Sequence, residues 1–279
     1  MSQLVFKIRN LKCEYVLNSP VLELGELELP RGKLIFVIGK SGIGKSTFIE
    51  TLGLMNNTIA SSESTQIQFF PSQNENSIEL KDSWMLPNEE LSSFRKNYFS
   101  FIFQNTNLMP NFSSGENMMM SLLINGKPIE RARKEVLRVM DRLSLGAEVF
   151  DKKITELSGG QKQRLAFVRA VTSKFTVLFG DEPTGNLDEN TAHELMGILR
   201  DLIQEENKTG IIVSHDLSLA KEFADLVIPI TVNEEKRIGE VQSDNIISNK
   251  TGKWIKVDST PIMNPIEYLS QFLRTQTIV

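Results

Sequence analysis

The segment Gly39–Thr47, Gly-Lys-Ser-Gly-Ile-Gly-Lys-Ser-Thr, restricts the possible folds of this chain more than any other feature. It matches the phosphate-binding loop pattern, in which two glycines with four residues between them are followed by Lys and a hydroxyl residue. Such a loop joins a buried strand to a helix. The apolar run Leu34–Ile38 precedes the segment, and Ser46–Leu54 has helical spacing. The sequence therefore predicts a strand, a glycine loop and a helix in succession.

A second glycine-containing string, Leu157–Gln161, follows later in the chain. From average amino-acid usage, Leu-Ser-Gly-Gly-Gln should arise by chance in fewer than about one chain of this size in a thousand. Ser158, its two glycines and a predicted helix Gln161–Thr172 would form another anion site, because a helix N-terminus presents N–H donors and a positive dipole end. We expect two anion sites on different faces of the molecule.

Hydrophobic spacing along the rest of the chain predicts an α/β fold. Residues 1–38 alternate apolar and polar positions, which is typical of a small antiparallel β layer. Predicted strands at Phe99–Phe103, Thr176–Phe179 and Gly210–Val213 alternate with helices, which favours a largely parallel sheet. Helical spacing over Ser113–Leu145 predicts a helical lobe.

Composition excludes several classes of protein. The 279 residues include 31 basic and 35 acidic side chains, so a net charge of -4 gives no overall attraction to nucleic acid. No apolar run approaches the roughly 20 residues needed to span a bilayer, and the N-terminus does not resemble a secretory signal. The single cysteine, Cys13, agrees with a reducing compartment. We expect a cytoplasmic location.

The phosphate-loop segment has the residue types that a triphosphate site needs. Glycines at 39, 42 and 44 let backbone N–H groups turn toward a ligand without a Cβ in the way. Lys45 is placed to reach the β- and γ-phosphates, and the Ser46 hydroxyl to bind Mg²⁺.

Two acids and a histidine follow predicted strands at the carboxyl edge of the sheet, where ligands of α/β proteins bind. Asp181 is placed to hold Mg²⁺, directly or through water. Glu182 can orient and polarise the water that attacks the γ-phosphate, and His215 can hydrogen-bond that phosphate. Without the phosphate loop, paired acids after a strand would equally fit an ordinary loop, and a histidine would more often be structural.

Gln104 and Tyr15 are further candidates for the same site. Gln104 follows the predicted strand Phe99–Phe103, and its amide oxygen can contact Mg²⁺ or its bound water. Tyr15 lies in the predicted β layer and can stack on an adenine ring, although a half-buried strand aromatic is the alternative.

Together these motifs resemble the nucleotide-binding subunit of an ABC (ATP-binding cassette) transporter, over residues 1 to about 231. In that family a phosphate loop, a Gln loop, the LSGGQ signature, an acid-ended strand, a D-loop and a switch histidine occur in this order, as they do here. Leu91–Arg95, Phe101–Gln104, Asn107–Phe112 and Gly185–Asp188 are most similar to the lipoprotein-releasing and macrolide-export branch.

The resemblance implies a complete site. Its fold would be a P-loop NTPase (RecA-like) α/β core with an N-terminal antiparallel β layer and an inserted helical subdomain, about residues 105–170. The chain would bind and hydrolyse ATP with Mg²⁺. Catalytic roles fall on Glu182, His215 and Lys45; metal binding on Ser46, Gln104 and Asp181; ATP binding on Tyr15, Gly39, Lys40, Ser41, Gly42, Ile43, Gly44, Lys45, Ser46, Thr47 and Gln104.

The family's mechanism needs two chains. The signature residues Ser158, Gly159, Gly160 and Gln161 would contact ATP held by the opposing subunit, and Asp188 would communicate between the sites. We expect a head-to-tail dimer with an identical or similar ATPase that drives membrane permease subunits. It would be peripheral on the cytoplasmic face of the membrane, without nucleic acid as a partner. The work performed would be export, lipoprotein or lipid extraction, or mechanotransmission.

Three features depart from the family pattern. Gly180 replaces the usual apolar residue or Ala, which predicts a gap or added backbone freedom beside Asp181. Residues 56–90 are long and polar, and we expect a surface excursion with short strands. Residues 232–279 extend beyond the ATPase domain, with a possible strand at Lys253–Val257 and a helix near Ile266–Leu273.

Two other functions remain open at this stage. A soluble ABC ATPase acting on ribosomes or DNA usually has two cassettes in one chain or a long coiled coil, and this chain shows neither. A nucleotide-sensing scaffold without hydrolysis is disfavoured because Glu182 and His215 are both present.

Overall fold

The computed structural model describes residues 3–60, 62–72 and 75–274. Its strands are β1 (Leu4–Val16), β2 (Ser19–Pro30), β3 (Leu34–Ile38), β4 (Gln66–Phe69), β5 (Ile78–Glu79), β6 (Phe99–Ile102), β7 (Val177–Asp181), β8 (Thr209–Val213), β9 (Leu226–Asn233), β10 (Ile238–Val241), β11 (Ile247–Lys250), β12 (Lys253–Lys256) and β13 (Pro261–Ile262). Its α-helices are α1 (Lys45–Leu52), α2 (Asn88–Tyr98), α3 (Ser114–Ile124), α4 (Ile129–Arg142), α5 (Gly159–Thr172), α6 (Glu189–Glu205), α7 (Leu217–Phe223) and α8 (Pro265–Ser270).

Parallel strands in the order β9-β3-β8-β7-β6 form the centre of the fold. Every residue of β3 and β8 is buried, as expected for strands covered on both faces. Because the strands are parallel, their carboxyl ends meet at one edge of the sheet. The residues that follow β3, β6, β7 and β8 are the predicted phosphate loop, Gln104, Glu182 and His215, so the topology directs all four to that edge.

The predicted N-terminal β layer is confirmed. Strands β1 and β2 pair antiparallel along most of their length, and β4 and β5 extend this layer on the β1 side. Alternate apolar residues of β1 and β2 point into the core, which is why the period-two pattern was visible in the sequence. Strand β10 pairs with both β2 and β9 and so joins the layer to the parallel strands.

Helices α3, α4 and α5 pack together as the helical lobe that the spacing predicted. The single helical run expected over Ser113–Leu145 is two helices, with Asn125–Pro128 between them. Pro128 limits the backbone at the start of α4, and Gly126 has a φ of 77°, so the chain turns there. Met118 and Met119 are buried in this lobe.

Helix α5 begins at Gly159, two residues earlier than predicted, because the Ser158 side chain caps it. Helix α1 ends at Leu52 and not at Leu54, because Leu54 has a φ of 56°. These differences move helix ends and leave the order of elements unchanged.

Of the two possibilities expected beside Gly180, the gap is absent, and that part of the prediction was wrong. Added backbone freedom stays a prediction. A Cβ at residue 180 would lie 2.8 Å from Ile212 Cδ1 and 3.2 Å from Pro183 Cγ. The side chain of Ile212 on the neighbouring strand β8 therefore fills the space that an alanine or a larger residue would occupy.

The polar stretch 56–90 carries short elements, as expected. Its strands β4 and β5 extend the N-terminal layer, and a 3₁₀ turn, Leu80–Met85, leads to α2. No helix in the described ranges is both long and apolar enough to cross a bilayer.

The chain after residue 231 continues the same sheet. Residue 231 lies within β9, and β11 pairs with both β9 and β12. Helix α8 contacts α7, and Leu269 of α8 is buried in the core. The expected strand and helix are both present, as β12 and α8, with shorter limits than predicted. The division at 231 stays a prediction, and residues 275–279 lie outside the described ranges.

Candidate functional site

The phosphate loop connects β3 to α1 through backbone that glycine favours. Gly42 and Gly44 have φ values of 75° and 99°, which turn the chain back over the start of the helix. The Lys45 side chain is only 7% exposed, and its Nζ donates to the carbonyl oxygens of Gly39 at 2.9 Å and Lys40 at 2.8 Å. An ammonium group has three donors, so one remains for a phosphate oxygen.

Two carboxylates lie close enough to Lys45 for their charges to affect its pKa. Burial lowers the pKa of the Lys45 ammonium, and the charges of Glu182 and Asp181 oppose that shift. Burial raises the pKa of the Asp181 carboxyl, whereas a hydrogen bond from Ser46 favours its charged form. A positive charge and two acids thus lie close together at the end of β7, which is an arrangement suited to a charged ligand and a cation.

Glu182 and His215 are joined directly. Glu182 Oε2 lies 2.9 Å from His215 Nδ1, although these residues follow different strands. Glu182 has a φ of 46°, unusual for a residue with a side chain, and its N–H donates to the Val213 carbonyl at 3.0 Å. The backbone at Glu182 is therefore held in a rare conformation that turns the chain sharply after β7.

A cavity of about 430 Å³ lies between the phosphate loop and the two acids, Asp181 and Glu182. Besides the phosphate loop and both acids it is lined by Tyr15, Val21, Gln104 and Val213. Tyr15 is 58% exposed, and its hydroxyl lies 3.1 Å from Thr47 Oγ1. Its stacking on an adenine ring stays a prediction. The structure thus brings most of the predicted phosphate-loop residues, both acids, Gln104 and Tyr15 to one cavity, whereas Gly39, Lys40 and Ile43 do not line it. His215 lines an adjoining cavity that shares Glu182.

The signature segment stands apart from this cavity. None of the cavity's lining residues within the described ranges belongs to Leu157–Gln161. Ser158 Oγ accepts from the Gln161 N–H at 3.2 Å, and Gln161 Oε1 accepts from the Ser158 N–H at 3.0 Å, which is a capping box. Ser158 and Gly159 are exposed, and the Ser158 hydroxyl retains its own proton for donation.

Asp188 caps the next helix in the same way. Its side chain accepts from the Thr191 N–H at 3.0 Å at the start of α6, and this bond holds the pKa of the exposed carboxyl below its usual value. The residue therefore has a local structural role in the isolated chain. Its predicted communication between two sites stays a prediction.

Two polar side chains, one partly buried and one buried, hold the segment after Gln104, and the sequence did not single out either for this role. Arg169 of α5 donates to the carbonyls of Thr106 and Asn107, each at 2.8 Å. Asn117 of α3 pairs with both backbone groups of Met109. A polar residue on the buried face of an otherwise apolar helix is the sequence signal that could have found them.

Comparison with known proteins identifies the family. The sequence profile described as "ABC transporter" matches residues 22–185, more than half of the chain. The chain belongs to the ABC transporter family. As in other ABC ATP-binding cassettes, its activity is the hydrolysis of ATP, and the chain is an ATPase subunit of this family.

Similar ABC proteins include two lipoprotein-releasing system ATP-binding proteins LolD. The protein from Hydrogenovibrio crunogenus is 33% identical over 226 residues, which is 80% of this chain and 92% of the relative. The protein from Syntrophus aciditrophicus is 34% identical over 219 residues, 77% of this chain and 92% of the relative. Both support the branch that the sequence motifs indicated.

Solved ABC cassettes share the fold. A dimeric post-hydrolysis structure of the ATP-binding cassette MJ0796 with ADP and Pi has a TM-score of 0.66 at 28% identity, over 80% of this chain and 93% of that one. CbiO1 from Clostridium perfringens has a TM-score of 0.68 at 23% identity, over 86% and 87% of the two chains. The P-loop NTPase fold with its β layer and helical lobe is thereby confirmed.

Proposed function

We propose that this ABC ATPase hydrolyses ATP between two chains joined head to tail and uses the cycle to drive a membrane permease that extracts or exports lipoproteins or other lipidic cargo. The observation that carries this proposal is the contrast between a phosphate-loop cavity that has a buried lysine and two acids beside it and an exposed, capped signature segment on the same chain. One is ready to hold a triphosphate, and the other is ready to cover one.

Hydrolysis would begin with ATP on the phosphate loop. Lys45 and the N-terminus of α1 would hold the β- and γ-phosphates. Glu182 would accept a hydrogen bond from the attacking water and align it, and His215, at 2.9 Å from Glu182, would keep that carboxylate in place and contact the γ-phosphate. Tyr15 would stack on the adenine ring from the exposed face of β1.

The residues beside Lys45 fit a magnesium ion. Ser46 and Asp181 supply a hydroxyl and a carboxylate that line the same cavity, and Gln104 adds an amide oxygen there. Mg²⁺ prefers oxygen ligands and keeps several positions for phosphate and water, so a short protein ligand set is suitable. When bound, the ion would neutralise charge on the β- and γ-phosphates.

The second chain would supply Ser158, Gly159, Gly160 and Gln161 to the γ-phosphate. Their backbone donors lie at the N-terminus of the 14-residue helix α5, which favours an anion. A Cβ at Gly159 would meet no described atom within 4 Å, so this surface is open to another chain. Asp188 would contact the opposing site in the closed dimer.

The permease would dock beside Gln104. The segment 105–113 presents Met109 and Phe112, which are 43% and 40% exposed, and Arg169 and Asn117 fix its backbone. Apolar side chains on a backbone held from two helices offer a defined contact for a cytoplasmic helix of a permease. The LolD relatives are named for lipoprotein release, and this supports lipoproteins as the class of cargo.

Replacing Glu182 by Gln tests the catalytic assignment. The variant keeps the shape of the side chain and loses the charge that polarises water, so we expect turnover to fall by about 10³-fold. ATP-bound dimers should accumulate, as measured by light scattering after chromatography. Glu205→Gln, at an exposed acid paired with Arg142, is the control and should hydrolyse normally. Wild-type turnover in Glu182→Gln would contradict the assignment.

Purification of the tagged chain from solubilised membranes tests the partner. A polytopic membrane protein should copurify, and the Met109→Asp/Phe112→Asp double variant should lose it while retaining ATP hydrolysis. Recovery of ribosomes or DNA in place of a membrane protein would instead favour the soluble ABC ATPase described above.

A further inference from the structure

Helix α5 carries a buried amide whose partner is the backbone next to Glu182. Gln163 is 2% exposed, and its Nε2 donates to the carbonyl oxygen of Pro183. Pro183 has no N–H, so this carbonyl is its only backbone hydrogen-bonding group. A carbonyl can only accept, and therefore the amide nitrogen of Gln163, not its oxygen, must face Pro183.

The hydrogen bond from Gln163 to Pro183 adds to the bonds that hold the backbone around Glu182 in its unusual conformation. Glu182 has a φ of 46°, its N–H is bound by the Val213 carbonyl, and its own carbonyl accepts from the Gly185 N–H at 3.1 Å. Gln163 holds the next carbonyl along the chain. The backbone on both sides of Glu182 is thus tied to neighbouring elements, and only one of these ties comes from the helical lobe.

We propose that Gln163 is a positioning residue for ATP hydrolysis, which places the Glu182 carboxylate by holding the Pro183 carbonyl. This inference rests on the proposed role of Glu182. Gln163 lies five residues after Ser158 on one continuous helix, a rise of roughly 7.5 Å. Gln163 therefore connects the helix whose first residues would meet a γ-phosphate of the opposing chain to the acid loop of its own chain.

This role differs from simple support of the core. Ser100 provides the comparison, because its hydroxyl is also buried and donates to a carbonyl of α5, that of Ala170, at 2.8 Å. The Ser100 bond lies at the far end of the helix, away from the acid loop. Loss of either bond removes a buried hydrogen bond to or from α5, but only the Gln163 bond reaches the backbone beside Glu182.

Gln163→Met removes the donor while keeping an unbranched side chain of similar length. We expect kcat for ATP to fall about tenfold to a hundredfold, because a small displacement of a catalytic group has effects of this size. The KM for ATP should change less than about twofold, since Gln163 does not line the phosphate cavity. Ser100→Ala, the matched control, should lower the melting temperature and leave kcat within about twofold of wild type.

Gln163→Glu adds a test that a purely structural role would not pass. An ionised carboxylate cannot donate to the Pro183 carbonyl, whereas a protonated carboxyl can. Burial raises the pKa of an introduced carboxyl, so protonation should occur in an accessible range. The ratio of variant kcat to wild-type kcat should therefore rise as pH falls. Glu182 and His215 are present in both proteins, so any effect that they have on kcat cancels in the ratio.

The outcomes separate the two proposals. Full activity of Glu182→Gln would overturn the catalytic assignment itself. An inactive Glu182→Gln together with a Gln163→Met kcat within twofold of wild type would overturn only the inference about Gln163. If Gln163→Met does not fold, the Gln163→Glu variant decides. A ratio of kcat values that does not change between about pH 5.5 and 9, a range that includes the raised pKa values of buried Glu side chains, would contradict the positioning role.

Discussion

The phosphate loop and the signature segment are built from similar residues and have different surroundings. Each places glycines and a hydroxyl residue at the N-terminus of a helix. The phosphate loop encloses a buried lysine and shares a cavity with Tyr15, Gln104 and two acids. The signature segment has a capped helix start and an exposed Ser158 and Gly159. The phosphate loop therefore has groups of its own chain around it, whereas the signature segment faces solvent.

This difference shows why sequence similarity between two anion sites does not make them equivalent. A helix N-terminus attracts phosphate only weakly unless other groups exclude water and add charge. At the phosphate loop, β3, β7 and β8 bring such groups from distant parts of the chain. At the signature segment they must come from a ligand that another chain already holds.

Among the substitutions that distinguish the phosphate loop from the signature segment, the largest expected effect comes from charge at Ser158. Asp caps helices as well as Ser does, so Ser158→Asp should keep α5 intact while repelling a triphosphate. We expect ATP hydrolysis to fall at least about a hundredfold, with unchanged ATP binding by the single chain. Ser113→Asp is the matched control, because Ser113 forms the same capping box on α3. Hydrolysis is measured as phosphate release. An equal loss in Ser158→Asp and Ser113→Asp would show that the effect is not specific to the signature segment.

Alanine substitutions at Gly39 and Gly159 should have different effects on the free energy of unfolding. A Cβ at Gly39 would lie 2.6 Å from the Ile230 carbonyl oxygen. Gly39→Ala should lower the free energy of unfolding by about 1–3 kcal/mol. Gly159→Ala should change it by less than about 0.5 kcal/mol and instead weaken ATP-dependent dimerisation. Urea unfolding and light scattering measure the two effects, and comparable destabilisation by both substitutions would remove this distinction.

The pH dependence of magnesium binding should reflect the raised pKa of Asp181. A protonated carboxyl does not bind the ion, so Mg²⁺-dependent ATP affinity should weaken on acidification at a higher pH than an ordinary Asp would give. Asp188, whose pKa is lowered, should make no such contribution. Titration of Mg²⁺ against wild type and Asp188→Asn at several pH values should give the same profile, and a profile changed by Asp188→Asn would contradict the assignment.

The smallest expected effect is at Tyr15. Tyr15→Phe removes the hydroxyl contact with Thr47 and keeps the ring, whereas Tyr15→Ala removes the stacking surface. We expect Tyr15→Ala to raise the dissociation constant for ATP about fivefold to tenfold, and Tyr15→Phe to leave it nearly unchanged. Nucleotide titration by fluorescence would measure both constants. A larger loss of ATP affinity in Tyr15→Phe than in Tyr15→Ala would show that the hydroxyl, and not the ring, contributes to ATP binding.

The sequence predicted which residues lie at the site better than it predicted the contacts that hold them in place. Lys45, Asp181 and His215 could be placed because each follows an apolar strand, and parallel strands bring such residues to one edge. The hydrogen bonds and backbone conformations around these residues could not be predicted from the order of strands. The bond between Glu182 and His215 and the left-handed backbone of Glu182 depend on the packing of separate strands.

The errors and omissions have the same physical origin. Gly180 suggested a gap, but a side chain from the neighbouring strand, Ile212, fills it. Gln163 and Arg169 looked like ordinary polar residues of an amphipathic helix, yet both reach backbone carbonyls far along the chain. Local spacing indicates which elements form, whereas the partner of a buried polar group is set by tertiary structure.

Mixing two inactive variants is the most direct test that ATP is hydrolysed between chains. Lys45→Ala lacks a working phosphate loop and Ser158→Asp lacks a working signature, so each alone should be inactive. In an equal mixture about half of the dimers are mixed, each with one intact site of two, and about a quarter of wild-type hydrolysis should return. A mixture no more active than the two variants measured separately would contradict a site shared between chains.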